Sequence, residues 1–248
     1  MKKHLKNLLF VLFWLAVWQI GAMLLDQKIL LASPLAVAER LIQLIPQGEF
    51  WASAAFSAGR ILLGFALGLC TGTLLAVLAG NFGIVKSLLS PLVSAMKSIP
   101  VASFTILALI WVSSKDLAVL ITVLIAIPIV YSNVLEGIEN LDPKLHEMAE
   151  LFNIPPHKRF VGVYLSQVLP YFRSAAGLAM GLCWKSGVAA EVIGIPDGSI
   201  GERLYMSKVY LETEDLFAWT VVIILLSYLC EKLFMLLMNA LVKRVERM

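Results

Sequence analysis

Charge is scarce in this sequence, and several charged side chains stand where charge is expensive. Lys97, Lys185 and Glu191 lie within or at the edge of long apolar segments. On insertion scales a cation inside a span costs about 2.5–3.5 kcal/mol, so it is kept facing a bundle interior, water or a partner. Lys97 is followed by Ile99-Pro100, and a proline in a helix frees backbone polar groups that only protein or water can satisfy. Lys97, Pro100, Lys185 and Glu191 are therefore candidates for a solute path, with Lys185 suited to attract an anion. The plainer reading of Lys185 is favoured: it pairs with a carboxylate such as Glu191, or snorkels to the interface. Lys97 fits an inner-leaflet interface equally well.

Other chemistry is hard to assemble. Cys70, Cys183 and Cys230 are far apart in apolar segments, without CxxC spacing, and read as packing residues. His4, His146 and His157 share no metal-ligand spacing. The stretch Gly181 to Ser186 ends in Lys-Ser but lacks the glycine before lysine that a phosphate-binding loop needs. No GxSxG, HExxH or paired carboxylates occur. The chain is not read as an enzyme, and no cofactor or metal is assigned to it. A net charge of +3 gives no reason to expect a nucleic-acid partner.

The elements that must position these residues are set by composition. Of 248 residues 60% are hydrophobic and 15% charged, with a mean hydropathy of +0.86. Soluble domains carry about 25% charged residues. Ile61–Val85 and Leu117–Leu135 are charge-free and match the roughly 20 residues that cross a bilayer as helix. They are continuously apolar and not alternating, which excludes a barrel. The expectation is an all-α polytopic membrane protein, one transmembrane domain over residues 1–248, with six transmembrane segments near 8–25, 54–80, 85–112, 117–135, 168–190 and 216–238. The third, holding Pro91, Lys97 and Pro100, should be broken. Ser33-Pro34 opens a surface helix, and Gly59, Gly64, Gly68 and Gly72 mark a close-packing face. A polar excursion covers 191–215, with a short helix near 202–208.

Between the fourth and fifth segments lies Asp142–Pro170, charged and proline-punctuated. Asp142-Pro143 reads as an N-cap followed by proline at the first helical position. Leu145, Met148, Ala149 and Phe152 follow helical spacing, and Asn153 is a left-handed stop before Pro155-Pro156. Six spans put both termini on one side. Lys2, Lys3, Lys6, Lys86, Lys144, Lys158, Arg159, Lys243, Arg244 and Arg247 fall there, against Lys28, Arg40, Arg60, Lys115, Arg203 and Lys208 opposite. The excess of Lys and Arg makes the terminus side, and this loop, cytoplasmic.

Glu147-Met148-Ala149, Asn153 and Val163-Tyr164-Leu165 then resemble the EAA loop of ABC-importer permeases, a pattern of EAA, three residues, Gly, nine residues and I-x-L-P. Met148, Asn153, Val163 and Ser166 depart from it. Ser33-Pro34-Leu35-Ala36-Val37, Lys97-Ser98-Ile99-Pro100-Val101-Ala102 and Ala189-Ala190-Glu191 through Gly194, with Ile200-Gly201, resemble the subgroup importing nitrate, sulfonates, taurine, bicarbonate and vitamin precursors. The resemblance implies a pore-forming subunit in the cell (inner) membrane, paired with a second permease chain, in a homodimer. It further implies two cytoplasmic ATPase subunits that bind ATP and Mg, and an extracytoplasmic solute-binding protein. It makes the loop near 139–166 a coupling helix, with Leu145, Glu147, Met148, Ala149, Glu150, Phe152 and Asn153 as docking residues, and makes the solute small, with an anion suggested by Lys185. The alternative is a stand-alone ion-coupled secondary transporter, against which the few intramembrane carboxylates argue.

Overall fold

A computed structural model describes residues 2–25, 27 and 29–245. Asp26, Lys28 and Arg247 lie outside the described residues, as do the side chains of Lys2, Lys3, His4, His146, Lys243 and Arg244. The elements among the described residues are all helices: α1 (Lys2–Leu25), α2 (Pro34–Leu44), α3 (Gly48–Asn81), α4 (Gly83–Ser98), α5 (Val101–Ala108), α6 (Ser114–Glu139), α7 (Pro143–Leu151), α8 (Pro156–Arg159), a π-helical turn (Phe160–Leu165), α9 (Ser166–Gly194), α10 (Ile200–Val209) and α11 (Thr213–Val245).

Small residues decide how the centre is built. Gly64, Gly68, Gly72 and Gly80 of α3 lie against Thr122, Ala126, Val130 and Ile138 of α6, each partner 58 positions further along the chain. A methyl group at Gly64 would overlap Thr122 Oγ1 and stand 2.6 Å from the Val119 carbonyl oxygen. Lipid-facing helices are attracted by close packing, and only glycine lets these backbones approach so far. Gly59, expected on this face, is not part of it: a methyl group there would have nothing within 4 Å.

The constant register means that α3 and α6 run parallel. The chain leaving α3 at Asn81 must therefore return to the opposite end before α6 begins, and α4 and α5 carry it there. They do so around a break at Ile99-Pro100 where the axis turns by 100°. α9 runs antiparallel to α6, since Cys183 and Gly187 meet Thr122 while Tyr171 meets Gly137. Ile61, Phe65, Val130, Val134, Met180 and Trp184 fill the core between α3, α6 and α9.

The two ends of this bundle differ. At one end, Lys86 pairs with Glu139, and α7 and α8 follow directly. At the other, α2, α10 and the starts of α3 and α11 share a second core around Phe50, Ile200, Ala218 and Trp219. Asp215 accepts from Arg40 Nε and, at 2.8 Å, from an Arg40 terminal nitrogen. That bond raises the Arg40 pKa further, so the guanidinium stays charged. Phe50 meets Trp219 and Phe65 meets Phe234, so α11 runs parallel to α3 and ends at the α7 end.

Among the described residues, four helices are long and apolar enough to cross a membrane: Gly48–Asn81, Ser114–Glu139, Pro156–Gly194 and Thr213–Ala240. The bent pair makes a fifth if it is one span, while the apolar part of α1, Leu9–Leu25, is shorter. The expected six segments are thus reached only by counting both. Boundaries also move: α9 continues to Gly194, so Glu191 belongs to a helix and not to the polar excursion, and the short helix there is Ile200–Val209.

Candidate functional site

The loop between α6 and α9 is built by its caps. The Asp142 carboxylate accepts from the Lys144 N–H at 2.9 Å, and Pro143 occupies the first turn. Asn153 ends the helix with φ at 51°, in the left-handed region that asparagine tolerates. Gln167 on α9 accepts from the Asp142 N–H at 2.9 Å, and Arg159 reaches Glu150 at 3.4 Å, so both ends of the loop are tied back. A π-helical turn joins α8 to α9, and such turns gather at functional places.

The faces of α7 are distributed differently from the helical-spacing expectation. Ala149 is fully buried, whereas Leu145 and Met148 are exposed, and Phe152 is 76% exposed. Leu151, which the helical spacing did not single out, is 81% exposed. The free apolar face is Leu145, Met148, Leu151 and Phe152, with Glu147, Glu150 and Asn153 exposed beside it. Ala149, next to Leu145 and Phe152 around the helix, is the edge of this face that turns inward. Spacing from Leu145 through Met148 to Leu151 and Phe152 carries this face too, and the short alanine side chain is what fits beneath the helix.

Glu191 does not pair with Lys185, the partner expected from the sequence. It is 0% exposed and pairs elsewhere. Its Oε2 accepts from Ser57 Oγ at 2.6 Å and from the Gly201 N–H at 3.2 Å, while Ser57 Oγ accepts from the Ile200 N–H at 2.9 Å. A carboxylate thus sits on the N-terminus of α10, where the helix dipole favours negative charge. A methyl group on Gly201 would collide with the Glu191 backbone, so α10 rests directly on α9. The arrangement is a clasp joining α3, α9 and α10 at the end away from α7. Glu191→Leu strands the Ser57 hydroxyl and the Gly201 N–H, each costing about 1–3 kcal/mol when buried without a partner. Glu191→Gln keeps an acceptor for both. Thermal unfolding in detergent should therefore drop clearly for leucine and much less for glutamine.

Lys97 and Lys185 come together. Both line one cavity of about 460 Å³ between the broken pair, α6 and α9, along with Met96, Ile129, Leu182 and Ser186. Pro100 lies exposed at the break, and its neighbours Ile99 and Val101 line the same cavity. Residues 97 and 185 therefore border the same cavity, which no local spacing signals.

Comparison with known proteins fits this architecture. A solved structure of an amino acid ABC transporter with histidines superposes with a TM-score of 0.59 at 16% identity, covering 84% of this chain and 96% of that one, which shows a shared fold. A protein of Bacillus subtilis named as a putative aliphatic sulfonates transport permease, SsuC, is 27% identical over 96% of this chain and 87% of its own. The nitrate import permease NrtB of Synechococcus elongatus is 24% identical over 81% of this chain and 75% of its own. The model of the family described as binding-protein-dependent transport system inner membrane component matches residues 68–247. The chain belongs to that family and is an all-α, multi-pass permease subunit of an ABC importer, not itself an enzyme.

Proposed function

We propose that this subunit forms the translocation path for a small solute of the nitrate and sulfonate kind, and couples it to ATP hydrolysis in a separate chain through α7. The observation that carries the coupling is the exposed apolar face of α7, Leu145, Met148, Leu151 and Phe152, flanked by Glu147 and Glu150 at one end of the bundle. An apolar face of this kind, fixed at both ends to the spans, suits burial in a groove of a partner protein. Closure of two ATPase subunits would then move α7 as a lever and tip the bundle between inward- and outward-open states. ATP and Mg belong to those subunits, and a binding protein delivers the solute at the opposite, α2 and α10 end.

The same reading pairs two copies of the chain, with α7 and both termini in the cytoplasm of a cell bounded by this membrane. Lys86, Lys144, Lys158 and Arg159 at the α7 end support that orientation. The test is affinity purification from native membranes. An ATPase subunit recovered with the chain, and ATP hydrolysis stimulated by a solute-loaded binding protein, are the expected results; a chain that purifies without any ATPase counts against the reading.

A further inference from the structure

We propose that Lys97 and Lys185 together form an anion site inside the path, taking a small oxyanion on a short apolar body. The proposal rests on the importer reading and adds to it the place where solute charge is met. Its first support is the shared wall: two lysine side chains, both exposed, one at the end of α4 and one on α9, line a single cavity of about 460 Å³. Among the described residues no carboxylate lines that cavity. Among them, too, neither lysine has an ion pair or hydrogen bond, because the carboxylate nearest in sequence to Lys185, Glu191, is held by Ser57 and Gly201.

The two lysines differ in what offsets their charge. Lys97 stands in the last turn of α4, where the free carbonyls of a helix end favour a cation. Lys185 stands nine residues before the end of α9, about 14 Å of helix at 1.5 Å per residue, and has no such help. A mobile anion supplies the missing counter-charge. Ser186, beside Lys185, already donates to the Leu182 carbonyl at 2.8 Å, so the ammonium groups are the donors this cavity offers. That favours full negative charge over a neutral acceptor. Met96, Ile129 and Leu182 give the remaining wall an apolar character suited to an alkyl group.

The test uses the complete chain purified with its ATPase subunits in phosphatidylcholine nanodiscs, titrated with methanesulfonate and with its uncharged counterpart dimethyl sulfone. Methanesulfonate is expected to bind and dimethyl sulfone not. Lys185→Met and Lys97→Met should each weaken methanesulfonate binding by about tenfold or more, and Lys185→Arg should stay within about threefold. Equal binding of the two probes, equal binding by wild type and both methionine variants, or no binding by wild type would overturn the site. Adding phosphatidylglycerol separates the other source of an oxyanion. If that lipid displaces methanesulfonate and co-purifies with wild type but not with the methionine variants, the cavity holds a headgroup and the solute site is wrong. Recovery of the ATPase subunits in the same preparations is read separately. Their loss from wild type would strike the coupling proposal, whereas charge-independent probe binding in an intact complex strikes only the anion site.

Discussion

Exchange of Leu151 and Phe152 together for aspartate is expected to leave the chain inserted and folded while releasing it from its ATPase partner. Both side chains are already in contact with solvent, at 81% and 76% exposure, so charge there disturbs little within the subunit. In a docked complex each would be buried, and full burial of a large apolar side chain is worth about 1.5–3 kcal/mol. Losing two such contacts and adding two charges should weaken association by about 100-fold or more, read as ATPase subunit recovered per chain. Glu147→Ala, at an exposed flanking position, should instead lower transport per ATP hydrolysed without releasing the partner. Ala149→Asp does not test docking, because Ala149 is buried beneath the helix and the charge would disrupt the loop itself.

The second large effect lies in the α3–α6 contact. Gly64→Ala places a methyl group against Thr122 and the Val119 carbonyl, and backbone cannot rotate out of the way as a side-chain tip can. Overpacking of this sort costs about 1–3 kcal/mol, and it should appear as a lower unfolding temperature and poor yield in detergent. Gly59→Ala, only five residues away but facing open space, should be neutral or stabilising by up to about 1 kcal/mol through helix propensity. Equal behaviour of the two variants would mean that the parallel pairing of α3 and α6 is wrong.

How far these features could be read from the chain depends on how local their causes are. Asp142, Pro143 and Asn153 were legible because caps act within a few residues. The break at Pro100 was legible for the same reason, whereas its 100° turn was not, since a proline marks where a helix breaks and not the angle between the pieces. The glycine ladder showed in the spacing of Gly64, Gly68 and Gly72, yet spacing wrongly recruited Gly59 and passed over Gly80, which meets Ile138. The burial of Ala149 and the exposure of Leu151 were not legible, because helical spacing groups the apolar residues of α7 without saying which of them turns inward. Glu191 was misplaced because its partners, Ser57 and the start of α10, come from distant segments or across a turn. The meeting of Lys97 and Lys185 has the same origin: it exists only once the broken pair folds over α6 and α9.

The central claim, that α7 is where this permease subunit receives the work of ATP hydrolysis, is tested most directly by a photo-crosslinking residue placed at Phe152 in native membranes. A crosslink to an ATPase subunit, changing in yield when ATP is trapped, is the predicted result. Crosslinks confined to the chain itself or to lipid, with transport intact, would contradict it.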